Sequence, residues 1–172
     1  MKKKYLLYML IPIICIICVG AYLSNSALNG DTLESREALL NHAIAKGNEW
    51  TIAKEIEIDG YIISGAYSAN GKSTIAVFEP TSNKKYKFSS STTRDSEEII
   101  LGRAFINGEW YDLFWFNGAQ TEYAEIIYTV NGEKSEVSKY DTIDMNLIYA
   151  KSPEKDYSIE VCYYDSDGNR YE

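Results

Sequence analysis

Several short constellations in this chain could carry chemistry, and each makes a definite structural demand. Gly65-Ala-Tyr-Ser-Ala-Asn-Gly71-Lys72-Ser73 approaches a phosphate-binding loop but is one residue too long. A phosphate loop also needs a following helix whose N–H groups face the anion, whereas Thr-Ile-Ala-Val-Phe-Glu-Pro follows here, so the stretch reads as a hairpin turn. Asp165-x-Asp167-Gly168-Asn169 is spaced like part of an acidic calcium loop. Its first ligand position falls on Tyr163 and no bidentate glutamate follows, so a plain turn is expected. Zinc would need clustered cysteines and histidines, and the chain has one histidine, His42. No metal site, cofactor site or catalytic set is assigned.

Nucleophilic catalysis meets the same shortage. Cys15 and Cys18 lie in an apolar N-terminal run, leaving Cys162 as the one cysteine beyond it. A lone cysteine on a strand is a small buried hydrophobe unless a base adjoins it. No Gly-x-Ser-x-Gly motif is present to position a serine. Paired carboxylates remain, since glycoside hydrolysis needs two acids flanking a sugar bond. Glu109, Asp112, Glu122 and Glu125 are close in sequence, but a chain with 25 acidic residues offers such pairs by chance.

The strongest candidate site is a binding surface. Ile99 to Gly132 holds three aromatic-rich runs punctuated by Asn107-Gly108, Asn117-Gly118 and Asn131-Gly132. Asn-Gly between apolar runs signals a two-residue hairpin turn with positive φ at both centres. Counting outward from these turns pairs Phe105 with Trp110, Arg103 with Asp112, Leu101 with Phe114, and then Asp112 with Tyr123 and Trp110 with Glu125. One face of that meander gathers Ile100, Ala104, Ile106, Tyr111, Leu113, Trp115, Ala124, Ile126, Tyr128 and Val130, a core face. The other gathers Leu101, Arg103, Phe105, Trp110, Asp112, Phe114, Thr121, Tyr123 and Glu125, aromatic with charges threaded through it. Arg103, Phe105, Trp110, Asp112, Phe114, Tyr123 and Glu125 are accordingly the candidate binding residues for a protein, peptide or glycan. The alternative is that this face is the sandwich interior, with Arg103 and Asp112 at its rim.

The elements that must position these residues are mostly strands. Fifteen tyrosines, many β-branched residues and only three prolines suit sheets. From Trp50 the apolar period is two, and Asp59-Gly60 and Asn70-Gly71 punctuate strands near 50–58, 61–68 and 73–79. Two-residue loops there put Ile52, Ile56, Ile58, Tyr61, Ile63, Tyr67 and Phe78 on one face. A short strand at 86–89 and a polar loop at 89–98 follow. Further strands are expected near 134–138, 143–150, 157–164 and 169–172. Before the sheets, Asp31-Thr32-Leu33-Glu34 offers a capping-box start and Gly47 a stop, predicting a helix over 32–46 with Leu33, Ala38, Leu39, Leu40, Ala43 and Ile44 on its apolar side.

Tyr157-Ser-Ile-Glu-Val-Cys-Tyr-Tyr-Asp-Ser-Asp-Gly-Asn169 resembles the penultimate strand and last hairpin of bacterial immunoglobulin-like and fibronectin type III-like sandwiches. The resemblance places Tyr157 at the tyrosine-corner position, implies a sandwich and implies no activity.

At the N-terminus, Lys2-Lys3-Lys4 precedes residues 5–23, an uncharged run of 19 residues. As a helix it would span about 28 Å, the thickness of a bilayer core. Basic residues before it predict a cytoplasmic N-terminus and an extracytoplasmic remainder. Ser24-Asn25-Ser26 would serve a cleaved signal, the alternative outcome being secretion. The net charge of −8 becomes −11 once the three leading lysines are set aside, which argues against a nucleic-acid partner. The sequence thus predicts an anchor over 1–23, a linker and short amphipathic helix over 24–48, and a mainly β domain over 49–172. That domain is expected to be an antiparallel β-sandwich of about ten strands, immunoglobulin-like or a meander. The expected function is non-catalytic, membrane-anchored binding at a bacterial cell surface, the alternatives being a carboxylate-dependent hydrolase acting on cell-wall glycans or an accessory subunit of a membrane complex.

Overall fold

The computed structural model describes residues 29–44, 47–81, 85–95, 99–117, 121–142, 144–154 and 156–170. The proposed anchor, residues 5–23, lies outside the described residues. Among the latter no helix is long and apolar enough to cross a membrane.

Among the described residues one helix, α1 (Leu33–Ile44), precedes ten strands: β1 (Trp50–Ile58), β2 (Tyr61–Ser68), β3 (Lys72–Pro80), β4 (Tyr86–Asp95), β5 (Ile99–Ile106), β6 (Glu109–Phe116), β7 (Tyr123–Val130), β8 (Glu133–Asp141), β9 (Asn146–Lys151) and β10 (Tyr157–Tyr164). They form three antiparallel sheets ordered β1-β2-β3-β4, β5-β6-β9 and β10-β7-β8. The fold is mainly β and sandwich-like, with β5-β6-β9 as the middle layer. One face of that sheet (Ile100, Ala104, Ile106, Leu113, Trp115, Leu147) packs on Ile58, Ile63, Ile75 and Val77 of the four-stranded sheet. Its other face (Phe114, Phe116) packs on Ala124, Ile126 and Tyr128 of the third. The six aromatics and aliphatics at 110–116 are therefore apolar on both parities, because the far half of β6 is buried from both sides.

Trp115 crosses the first interface, and Gly65 lets it do so. A Cβ at Gly65 would stand 2.2 Å from the indole ring. On the opposite face of the four-stranded sheet, Trp50, Ile52, Ala66, Ala76 and Phe78 receive Leu40 of α1. The helix begins at Thr32, whose hydroxyl accepts the Ser35 N–H at 3.2 Å while Ser35 Oγ accepts the Thr32 N–H at 3.0 Å. The cap is thus Thr32–Ser35, one step beyond the expected Asp31–Glu34. Arg36 clamps the helix to the sheet through a bidentate pair with Glu55, at 2.9 and 2.6 Å, and donates to the Gly30 carbonyl.

Three expected registers are corrected. The turns at 59–60, 107–108 and 131–132 have positive φ at both centres, as the tight turn requires, and give the expected Ile58–Tyr61 and Phe105–Trp110 pairs. At 69–71 only Gly71 has positive φ and its N–H bonds to the Ser68 carbonyl. That longer loop pairs Ile63 with Val77 rather than Phe78, and a slip of one residue turns Phe78 to the helix side. A bulge between Ile52 and Lys54 likewise pairs Tyr67 with Thr51 and sends Ile52 to the helix.

The third correction concerns 117–118. β6 pairs with β9, not β7, so Asp112 faces Ala150 rather than Tyr123, and Trp110 does not pair with Glu125. Asn117 donates its side-chain amide to Ser73 Oγ on the four-stranded sheet, and the chain then crosses to the third sheet. Thr121 and Thr142 pair there through their hydroxyls at 2.9 Å. The stretch 89–95, expected as loop, is strand. Thr74 Oγ1 bonds the Thr92 carbonyl and the Thr93 hydroxyl, so serines and threonines complete the sheet edge. Of the strand expected at 169–172, the described residues show an isolated Tyr164–Arg170 bridge, and 171–172 lie outside the described residues.

Candidate functional site

The third sheet covers only part of the outer face of β5-β6-β9. Toward the Asn107-Gly108 turn that face is open, leaving Phe105 and Trp110 at 57 and 48 % exposure, and the opening continues along the β5 edge to Leu101, at 40 %. Phe114, on the same face two pairs further along, is fully buried. The boundary lies at Asp112, which is 1 % exposed.

A buried carboxylate costs several kcal/mol unless it is paired and hydrogen-bonded. Here Tyr157 Oη donates to Oδ1 and Oδ2 at 2.8 and 2.9 Å, and Tyr128 Oη donates to Oδ2 at 3.1 Å. Arg103, opposite Asp112 on β5, completes the set with Nε 3.3 Å from Oδ1. Burial raises the Tyr128 phenol well above the ordinary tyrosine range, and the adjacent Asp112 charge and hydrogen bond push the same way. Tyr157 is raised too, by burial first and then by Asp112, with the Ser152 hydroxyl and Arg103 acting against the shift. Both phenols therefore remain donors, and Asp112 is committed to accepting them.

The guanidinium of Arg103 lies 4.8 Å from the ring centre of Trp110 and 5.7 Å from that of Tyr157. Phe105 and Trp110 contact each other at 5.2 Å between centroids. Stacking and the ion pair hold a half-exposed arginine in one orientation, which lowers the entropy a ligand must remove. Leu101, Arg103, Trp110 and Tyr157 line an open groove of about 1110 Å³ with Thr92 and Arg94 of β4 and with Ser152, Glu154 and Asp156 before β10, and Phe105 lies beside it against Trp110.

Of the seven residues chosen from sequence, Arg103, Trp110 and Asp112 line this groove, and Phe105 adjoins it through its ring contact with Trp110. Phe114 is in the adjoining core. Tyr123 and Glu125 belong to β7 in the other sheet, Tyr123 stacked on Tyr164 at 4.7 Å and Glu125 accepting the Tyr164 hydroxyl at 2.9 Å. Sequence reasoning missed Tyr128, Tyr157, Thr92 and Arg94. The tyrosine at the start of the last long strand was visible, but its partner, a carboxylate 45 residues earlier, was not.

Other constellations resolve into ordinary structure. Lys72 pairs with Asp95 at 2.9 Å on adjoining strands, and β3 follows Gly71 where a phosphate loop needs a helix. Asp165 accepts the Asp167 and Asn169 N–H groups and the Asn169 amide, which hold its carboxyl below the usual range and tie up a turn. Cys162 is buried, and burial together with Glu160 raises its thiol. Among the described residues no three His, Cys, Asp or Glu are placed to hold a metal. No family model, curated protein or solved structure matches the chain.

Proposed function

We propose that the chain is a non-catalytic extracytoplasmic binding domain, anchored through residues 5–23, whose ligand occupies the groove over β5 and β6. One observation carries this reading: three large apolar side chains and a fixed arginine stand exposed together beside a fully packed core, where burial was available two residue pairs away. Aromatics and arginine supply most binding energy at protein surfaces. Asp112 supports the platform by orienting Arg103.

The supporting sheets are inferred to be immunoglobulin-like. Counted from β5, the first, second and fifth strands share a sheet, and the third and sixth are neighbours in the other, as in that sandwich. β10 then takes the penultimate position that the resemblance of 157–169 gives it. Tyr157 departs from the tyrosine corner in bonding a carboxylate rather than nearby backbone.

Glu109, Glu154 and Asp156 line the same groove, which favours a carboxylate hydrolase acting on cell-wall glycans as the second reading. Against it, Glu109 is paired with Lys151 at 2.9 Å and Asp112 is saturated with donors. The full-length chain should be screened against cell-wall glycan fragments and peptides, alongside Trp110→Ala and Glu109→Gln. Binding that Trp110→Ala weakens about tenfold or more, without product release, supports the binding reading. Release of new reducing ends that Glu109→Gln abolishes supports the hydrolase instead. Protease shaving of intact cells tests placement, with loss of the 49–172 domain expected.

A further inference from the structure

The edges of the three sheets are treated differently. The outer edge of β1 is covered by α1: Asn41 accepts the Trp50 N–H at 2.8 Å and donates to its carbonyl at 2.9 Å, and Glu37 accepts the Ile52 N–H at 2.9 Å. β8 carries Lys134 and Lys139. β10 has Arg170 bridging to Tyr164 and paired with Glu160 at 2.7 Å. Charges and covering elements are the usual means of blocking strand addition. β5, Ile-Ile-Leu-Gly-Arg-Ala-Phe-Ile, and β9, Asn-Leu-Ile-Tyr-Ala-Lys, end one sheet with no proline, one charge each and no backbone partner on the outer side among the described residues, and of the two β5 is the one whose side chains Leu101 and Arg103 line the groove.

Parity fixes which groups that edge presents. In a hairpin with a two-residue turn, Ile106 and Glu109 exchange hydrogen bonds, and every second pair does the same. Phe105–Trp110, Arg103–Asp112 and Leu101–Phe114 are the alternate pairs, whose N–H and C=O groups point away from each other. The Trp110 carbonyl confirms this by accepting the Ser152 N–H at 2.8 Å on the β9 side. Leu101, Arg103 and Phe105 therefore turn their backbone groups outward, and their side chains are exposed, Leu101 and Arg103 lining the groove and Phe105 beside it against Trp110.

We propose that β5 accepts an extended peptide from a partner protein as a fourth, antiparallel strand, with an acidic side chain opposite Arg103 and apolar side chains opposite Leu101 and Phe105. This rests on the groove being a binding site and names the ligand class. The backbone of the incoming strand satisfies the outward groups, and its alternate side chains enter the groove. Arg103 selects the acidic residue, since its guanidinium is half-exposed, lies over Trp110 and Tyr157, and meets Asp112 through Nε at 3.3 Å. Arg94 on the opposite wall adds a second cation. A second copy of this chain paired symmetrically through the same edge would set Arg103 against Arg103, a like-charge pair that disfavours it.

The test uses the full-length chain and a capped heptapeptide with valines two residues either side of a central glutamate, read by amide hydrogen exchange. Saturable binding should slow exchange at Leu101, Arg103 and Phe105 by about tenfold or more, leaving Gly102 and Ala104, already bonded to β6, unchanged. Replacing the central glutamate by lysine should weaken binding by about tenfold or more, and Arg103→Glu should reverse the preference. Equal binding of both peptides, or protection without alternation, overturns the proposal. So does alternate protection that appears without peptide and grows with protein concentration, which would mean self-pairing. A glycan that binds through Trp110 while the β5 amides stay unprotected also overturns strand addition but leaves the groove reading standing. No Trp110-dependent binding of either class removes both.

Discussion

Replacing Asp112 by alanine should destabilise the protein far more than any change at the exposed residues around it. The substitution removes the Asp112 carboxylate as acceptor from Tyr128, which is 6 % exposed, and from the half-buried Tyr157. A hydrogen bond to a charged group is worth about 1.5–3 kcal/mol, and both phenols lose one. Relief of the buried charge and solvation of Tyr157 return part of this, so the net loss is about 3–4 kcal/mol. At about 3 °C per kcal/mol for a chain of this size, thermal unfolding followed by near-ultraviolet circular dichroism should begin roughly 10 °C lower. Arg103→Ala, on a side chain 52 % exposed, should cost about 1 kcal/mol or less, and Trp110→Ala a similar amount. Tyr128→Phe combined with Asp112→Ala should be less than additive by about 1–3 kcal/mol, since both remove one interaction. An Asp112→Ala protein within about 1 kcal/mol of the parent, or a Trp110→Ala protein equally unstable, would refute the placement of Asp112 at the edge of the core.

Alkaline solution probes the same cluster. Because the folded state raises the Tyr128 phenol above its unfolded value near pH 10, its contribution is complete below that pH. It is lost as pH rises further, by up to about 1.4 kcal/mol per unit. Denaturant midpoints measured from pH 9 to 11 should fall more steeply in the parent than in Tyr128→Phe. Gly65→Ala should cost about 3 kcal/mol or fail to fold, because the new methyl overlaps Trp115 with no side chain free to yield. Its unfolding midpoint and Trp fluorescence maximum report both effects. Asn41→Ala removes both hydrogen bonds to Trp50 and should lower stability by about 1–3 kcal/mol while exposing the β1 edge. Light scattering against protein concentration should show new self-association.

The strands were legible where local chemistry decides them. Asp59-Gly60, Asn107-Gly108 and Asn131-Gly132 demand positive φ, and the register of each hairpin follows by counting. Asn70-Gly71 looks the same in sequence, yet a residue more in its loop turned Phe78 to the opposite face. Asn117-Gly118 also looks the same, but Asn117 spends its amide on Ser73, 44 residues away, and the chain changes sheet. That crossover explains why the candidate residues fall in two separate places. Alternation correctly put Arg103, Phe105, Trp110, Asp112 and Phe114 on one side of two strands. How far a third sheet would extend over that side depends on tertiary packing, so Phe114 is buried and Phe105 is not. Tyr128 and Tyr157 reach Asp112 from strands that no local pattern connects to it.

The open end of that face is expected to be occupied in the cell. Hydroxyl-radical footprinting of the full-length chain, in its native envelope and after purification, measures this directly. Oxidation of Trp110 and Phe105 should be strong in the purified protein and clearly reduced in the envelope, with Met145, which is 37 % exposed outside the groove, labelled alike in both. Equal labelling of Trp110 in the two states, or a Trp110 as protected as Trp50 and Trp115 after purification, would contradict it.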